Sequence, residues 1–402
     1  MLIIVATHPI QYQVPIWKEL AKRSNIDFEV LYLTSHGVEP SYDIQFGKTI
    51  KWDIDLLEGY PSRFSEVHCP KKITNFWSAK LPKDFKSKIK SRETTHILLL
   101  GWNVRAFIEI AMLSSKKRNF FWLRAESNDL KVNQSLIKNN FKKLFLKYFF
   151  SRIDRFLTIG KANKRLYENF GITNSKFYSA PYCIENRRFE FQAKLNQKNR
   201  NSIRNYWNIK SNSFCILFVG KFIAKKRPGD IIEAVEILKK IDPLNNYHIL
   251  FVGTGNLEGD LKKNSNVVFE NNNKVGSNSL FPTASFTGFV NQSKISEAYV
   301  AADLLVLPSE ADETWGLVVN EAMASGLPCV ASDACGSSED LVEEINPQFR
   351  YPLGEIESLA KSIKCARQNL PSKTLLKNVI DRYDFIHTVD TLEQLYKEPQ
   401  FK

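Results

Sequence analysis

The chain reads as an α/β protein: two Rossmann-like domains whose parallel sheets face a central cleft. Three observations predict this. Short apolar runs alternate with amphipathic stretches, as strands buried on both faces alternate with crossover helices. A polar stretch, Phe191 to Ser202 (FQAKLNQKNRNS), divides the runs into two sets. The 402 residues also exceed a single ordinary domain.

The elements follow in order. The opening residues, MLIIVATHPIQ, have no basic segment ahead of the apolar one. They read as a buried strand, Leu2–Ala6, and not as a secretory signal. Further N-terminal strands are expected at Asp27–Leu33, His96–Leu100, Phe120–Arg124 and Phe156–Gly160, with helices at Val14–Lys22, Val104–Leu113 and Lys161–Phe170. Residues Ser41–Tyr60 lack clean periodicity and are long for a connection, which favours a binding loop or lid. Residues 1–190 form the expected first domain, 191–203 the linker and 204–375 the second domain. Strands of the second domain are expected at Cys215–Gly220, His248–Gly253, Leu304–Pro308 and Cys329–Ser332, with a helix at Arg227–Lys240. Asn264–Ser285 is Asn-rich and reads as a mobile surface insertion.

Composition narrows the function. Hydrophobic residues make up 43%, ordinary for a globular chain. No run of 18 apolar residues predicts a membrane span. The six cysteines form no C-x-x-C pair, so a reduced, cytoplasmic protein with unpaired thiols is expected. The net charge is +13, and it is uneven. Residues 1–190 carry 32 Lys and Arg against 18 Asp and Glu, whereas residues 191–402 carry 24 against 25. The first half should attract anions such as diphosphates or acidic lipid surfaces. No basic-aromatic module is present, so nucleic acid is not an expected partner. A dinucleotide oxidoreductase would want G-x-G-x-x-G after the first strand, where this chain has His8-Pro9.

The most informative segment is Ala311–Cys335, ADETWGLVVNEAMASGLPCVASDAC. It follows a buried-strand pattern and reads as loop, helix, Gly stop and strand. Glu313 and Glu321 therefore lie near the carboxyl end of a parallel strand, where such sheets bind ligands. Carboxylates there suit the hydroxyls of a sugar or ribose. The plain alternative is a pair that decorates a helix start.

Residues ETWGLVVNEAMASGLPCVAS resemble the E-x7-E signature of the retaining glycosyltransferases of family 4. The resemblance implies a GT-B fold, in which the last helix, here within 376–402, crosses back to the first domain. It implies that Glu313 touches the donor sugar, that Glu321 takes the ribose hydroxyls, and that Gly316 and Leu317 belong to the donor site. The segment Phe218–Pro228 is similar to the family's diphosphate loop. Lys226 matches the family's Lys, Lys221 stands where Arg is usual, and Arg227 replaces Gly. Lysine charge and helix amides together suit a diphosphate. Gly220 matches the first Gly of that family loop and is a donor-binding candidate. Gly253 and Gly255 resemble the family's second glycine turn, and Gly288 and Phe289 the short turn that faces the base. Lys226 and Lys221 would stabilise charge growing on the leaving diphosphate. The resemblance implies no metal, and no cofactor is expected beyond the nucleotide-sugar donor.

In the first half the family pattern breaks. His8, Gln11 and Tyr12 follow the first strand in place of a Gly-rich turn, and are candidate acceptor-binding residues. The family's His after the strand at Phe120–Arg124 is missing, and Arg124 and Glu126 are its candidate replacements. Either could equally be half of a structural ion pair. Asn103 and Arg105 follow another strand and are weaker candidates. Lys131–Leu157 is basic and amphipathic, with Leu136, Ile137, Phe141, Leu144, Phe145 and Tyr148 interleaved with lysines. It suits either a domain helix packed on the sheet, which is preferred, or a helix lying on an anionic membrane. The expected function is transfer of a sugar from a nucleoside diphosphate to a glycan or lipid-linked acceptor in cell-envelope polysaccharide assembly. Its setting is the cytoplasm or the inner face of the plasma membrane. The alternative is a catalytically silent GT-B subunit that binds or activates a partner.

Overall fold

The computed structural model describes residues 1–23, 25–43, 48–50, 54–65, 75–79, 81, 85, 95–113, 119–130, 140–276, 280–311 and 313–398. The chain divides into two compact units. One is Met1–Ser41, Ile54–Ile184 and Asp384–Lys402; the other is Tyr42–Asp53 and Glu185–Tyr383.

The strands begin with β1 (Leu2–Ala6), β2 (Phe28–Tyr32), β3 (Ser41–Asp43), β4 (Lys48–Ile50) and β5 (Ser62–Phe64). Then come β6 (Thr95–Leu99), β7 (Asn119–Leu123), β8 (Arg155–Thr158) and β9 (Phe177–Ser179). β3 and β4 pair with each other; the others form one sheet in the order β5-β2-β1-β6-β7-β8-β9. Every pairing in that sheet is parallel. β1, β6 and β7 are buried along their whole length, which is why each carries an apolar run. The core beneath them is aromatic. Phe150 meets Trp102, Tyr167 and Phe170 edge-on, with ring centroids 5.2, 5.5 and 5.1 Å apart. Each fully buried ring of this kind contributes about 1.5–3 kcal/mol.

The last helix, Phe385–Lys397, belongs to this first unit. Asp384 caps it by accepting from the Ile386 amide at 2.9 Å. Val389, Leu392 and Leu395 are wholly buried along one face. Arg23 reaches Asp390 at 3.2 Å, and the Thr391 hydroxyl donates to the Ser179 carbonyl at 2.6 Å. Helix Lys373–Ile380, whose last five residues fall in the 376–402 region, stays with the second unit.

The second unit contains β10 (Ser213–Val219), β11 (Asn246–Val252), β12 (Asn266–Glu270), β13 (Asn273–Lys274), β14 (Thr283–Phe286), β15 (Leu304–Leu307), β16 (Cys329–Ser332) and β17 (Arg350–Tyr351). Their order is β13-β12-β14-β11-β10-β15-β16-β17, parallel except for the β12–β13 pair.

Two expectations need correction. The stretch 191–203 is no linker but lies within helices Asn186–Gln197 and Arg200–Tyr206. Most of its polar residues face water, while Ala193, and Phe189 and Arg204 on either side of it, are buried. Arg204 holds the second helix in place by donating to the carbonyls of Ala301, Lys210 and Ser213 at 2.8, 2.9 and 2.6 Å. Asn264–Ser285 is no surface insertion either: it supplies β12, β13 and most of β14. Asn271 and Asn272 make the turn into β13, and Asn273 lies on that edge strand, all three exposed to solvent. Of Ser41–Tyr60, residues 44–47 and 51–53 lie outside the described set. Its end is anchored, since the Tyr60 hydroxyl donates to the Leu56 carbonyl at 2.5 Å and meets the Tyr32 hydroxyl at 2.7 Å.

Candidate active-site crevices at two switch points

In a parallel sheet whose strand order reverses, loops leave adjacent strands in opposite directions and open a crevice at the carboxyl edge. In the second unit the reversal falls between β10 and β15. The loop after β10 carries Lys221 and Lys226, and the loop after β15 carries Glu313. Here the Lys226 ammonium donates to a Glu313 carboxylate oxygen across the switch point. The two residues are 87 positions apart in the chain.

Backbone hydrogen bonds stitch four loops together at this edge. The Gly253 amide donates to the Gly288 carbonyl at 2.9 Å, and the Gly220 amide to Val252 at 3.0 Å. Phe222 donates to Thr254 at 3.0 Å, and Glu310 to Lys225 at 2.9 Å. The glycine turn after β11 is part of this stitching. A Cβ on Gly253 would fall 1.9 Å from the Gly220 carbonyl oxygen, and one on Gly255 2.4 Å from that of Phe222. The close approach that excludes side chains at these two positions is therefore with the neighbouring loop.

The lysine loop closes with a single turn, Ala224–Lys226, followed by Arg227 at φ 48°. Arg227 thus adopts the left-handed conformation that glycine would take, at a cost of about 1–2 kcal/mol. Its guanidinium is held by Asp230 at 2.8 Å, and helix Gly229–Ile241 follows. Burial, with Lys225 and Lys221 adding like charge, pushes the Lys226 ammonium down to about 8. The nearby Cys335 thiol counts against that shift, as does the Glu313 carboxylate that Lys226 touches.

Gly316, at φ 92°, caps helix Leu317–Ala324, and a Cβ there would meet Leu307 Cδ2 at 2.4 Å. The helix thus starts hard against β15, with Leu317 as its first residue. One turn on, Glu321 is 2% exposed. Its oxygens accept from the Tyr299 hydroxyl and, at 3.5 Å, from Gln292 Nε2. Gln292 in turn accepts from Arg188 at 2.8 Å. Sequence reasoning missed Tyr299, Gln292 and Arg188, which lie on other elements with no motif of their own. Phe289 follows Gly288 in the loop after β14 and is half-buried.

In the first unit the order reverses between β1 and β6. A cavity of about 360 Å³ opens there, and its lining includes His8, Gln13, Trp102, Asn103, Glu126 and Ser127. His8 is half-buried and stands edge-on to His36, with ring centroids 5.1 Å apart. Burial and then His36 hold it down to about 4, so it is neutral at physiological pH. Glu126 is exposed and accepts from Gln13 Nε2 at 3.1 Å. Tyr182 lies beside it, its phenol pushed up first by burial and then by the Glu126 charge.

Four of the first-unit candidates stand apart from this cavity. Arg124 is 4% exposed and donates to the carbonyls of Ala180 and Pro181 at 3.1 and 2.9 Å. It braces the backbone and does not line the cavity. Gln11 and Tyr12 do not line the cavity; Gln13, which the sequence reading passed over, does. Arg105 is bound to Glu109 at 2.6 Å and lies over the Trp77 ring.

Residues 199–374 match the family model described as Glycosyl transferases group 1. The sulfoquinovosyl transferase SQD2 of Arabidopsis thaliana is 30% identical over 162 residues, 38% of this chain and 28% of that protein. An Escherichia coli UDP-Gal:alpha-D-GlcNAc-diphosphoundecaprenol alpha-1,3-galactosyltransferase is 27% identical over 192 residues, 47% of this chain and 46% of that protein. Among solved structures, Anabaena HepE in complex with UDP aligns with a TM-score of 0.61 at 16% identity, covering 99% of this chain and 100% of that one. The fold is GT-B. The chain spans less than half the length of the curated relatives it matches. The matched region holds the whole Lys226–Glu313–Glu321 site of the second unit. It excludes the cavity of the first.

Proposed function

We propose that the protein is a retaining glycosyltransferase of the family 4 type. It moves a sugar from a nucleoside diphosphate to a glycan or lipid-linked acceptor, without a metal. The observation that carries this is the meeting of Lys226 with Glu313 across the switch point of the second unit. A cation and a carboxylate there suit the two ends of a sugar diphosphate: lysine for phosphate, carboxylate for sugar hydroxyls. Glu321, steadied by Tyr299 and Gln292, takes the ribose.

In this reading the anomeric C1–O bond breaks ahead of attack, and its electron pair leaves with the diphosphate. Lys226 and Lys221 stabilise that charge. The acceptor hydroxyl attacks from the same face and its proton passes to a phosphate oxygen, so no protein nucleophile is needed. The cavity of the first unit, with Glu126, His8 and Asn103, receives the acceptor. Intact Lys226, Glu313 and Glu321 favour an active enzyme over a silent subunit. The Escherichia coli relative's polyprenol-linked substrate supports a lipid-linked acceptor and an envelope role.

The test is release of nucleoside diphosphate from UDP-, GDP-, ADP- and dTDP-sugars, with the product's anomeric configuration read by NMR. Retention is expected, and Lys226→Ala should lower kcat by roughly 10²–10³-fold. Inversion, or no release from any donor, would overturn the proposal.

A further inference from the structure

Helix Asn140–Ser151 satisfies its core on one face and leaves a second apolar face uncovered. Leu146, Phe149 and Phe150 are buried at 6, 0 and 0% exposure and join the aromatic core. Leu144, Phe145 and Tyr148 point the other way, at 67, 42 and 59%. Leu144 and Tyr148 are one turn apart, and so are the exposed Lys143 and Lys147 beside them. The described residues of the first unit have six exposed large hydrophobic side chains, and half of them fall within these five positions. Leu113, 57% exposed, ends the neighbouring helix Arg105–Leu113, and Arg152 Nε ties the two helices by donating to the Ala111 carbonyl at 3.1 Å.

We infer that this face docks on an anionic lipid surface. The chemistry is that of a helix lying in the interface: apolar side chains for the acyl boundary, lysines alongside for headgroup phosphates. Charge complementarity favours lipid over a protein groove, because helix Asn140–Ser151 carries three lysines, Lys143 and Lys147 exposed among them, and no acidic residue. Among the described residues no helix is long and apolar enough to cross a membrane, so the contact is peripheral. The inference does not depend on the transfer reaction.

The test is co-sedimentation of the full chain with phosphatidylcholine vesicles, with and without phosphatidylglycerol, at low and high salt. Binding should need the anionic lipid and fall with salt. Lys143→Ala with Lys147→Ala should weaken it by roughly 25-fold, taking about 5-fold per lysine. Leu144→Ser with Tyr148→Ser should weaken it by roughly tenfold. Both variants should keep the wild-type melting temperature and nucleotide binding, because these side chains are outside the core. Leu280→Ser, at a side chain 96% exposed on the second unit, should leave vesicle binding unchanged. No binding to anionic vesicles at low salt would overturn the inference. So would self-association that the helix variants abolish while vesicle binding is absent, since the face would then be a protein interface.

Discussion

Replacing Gly253 by alanine should destabilise the second unit by an amount that follows from its geometry. The new Cβ would lie 1.9 Å from the Gly220 carbonyl oxygen, where ordinary contact begins at 3.4 Å, so that loop must retreat by about 1.5 Å. The retreat pulls on two hydrogen bonds of 3.0 Å, Gly220 to Val252 and Phe222 to Thr254. Losing them costs about 1 kcal/mol each. A side chain at φ 139° adds roughly 1–3 kcal/mol. The total, about 3–5 kcal/mol, should lower the melting temperature by roughly 6–20 °C for a unit of this size. Thermal and urea denaturation would measure it. Gly259→Ala is the control: nothing lies within 4 Å of its Cβ, inside helix Glu258–Lys263. That change should stabilise by about 0.4–1 kcal/mol. A Gly253→Ala protein melting within about 2 °C of wild type would refute the loop-stitching account.

Three more outcomes are expected. Because Lys226 is held down to about 8, kcat/KM should fall as pH rises through that value, the proton being lost from the free enzyme. Lys226→Arg should abolish the fall, since a guanidinium stays charged throughout. Tyr299→Phe removes a donor from the buried Glu321 carboxylate and should cost about 1–3 kcal/mol in urea denaturation while raising the nucleotide Kd. Arg204→Met strips donors from three carbonyls, two of them buried, and from Asp303, and should cost about 3–5 kcal/mol by the same measurement.

What the sequence showed plainly was whatever its local chemistry repeats. β1, β6, β7 and β15 are buried on both faces, so each reads as an apolar run. The stretch from Glu313 to Ser332 is a strand-edge loop, a helix and a strand in succession, so its chemistry and its fold lie in one window. Short edge strands were not legible. β5, β9 and β17 are two or three residues long and draw their order from the strand beside them. Long-range partners were also hidden. Arg124 looked like a catalytic cation because it follows a strand, yet carbonyls 56 and 57 residues away take its guanidinium. Gln13, and not Gln11, lines the cavity and reaches Glu126.

The central claim is that the β10–β15 crevice of the second unit holds a sugar nucleotide through Lys226, Glu313 and Glu321. Calorimetric titration with UDP-, GDP-, ADP- and dTDP-sugars tests it most directly, on the wild type and on Glu321→Ala. One nucleotide class should bind, and the variant should weaken it by roughly 10- to 100-fold through loss of hydrogen bonds to a charged acceptor. Binding by none of the four, or binding that Glu321→Ala leaves unchanged, would contradict the account.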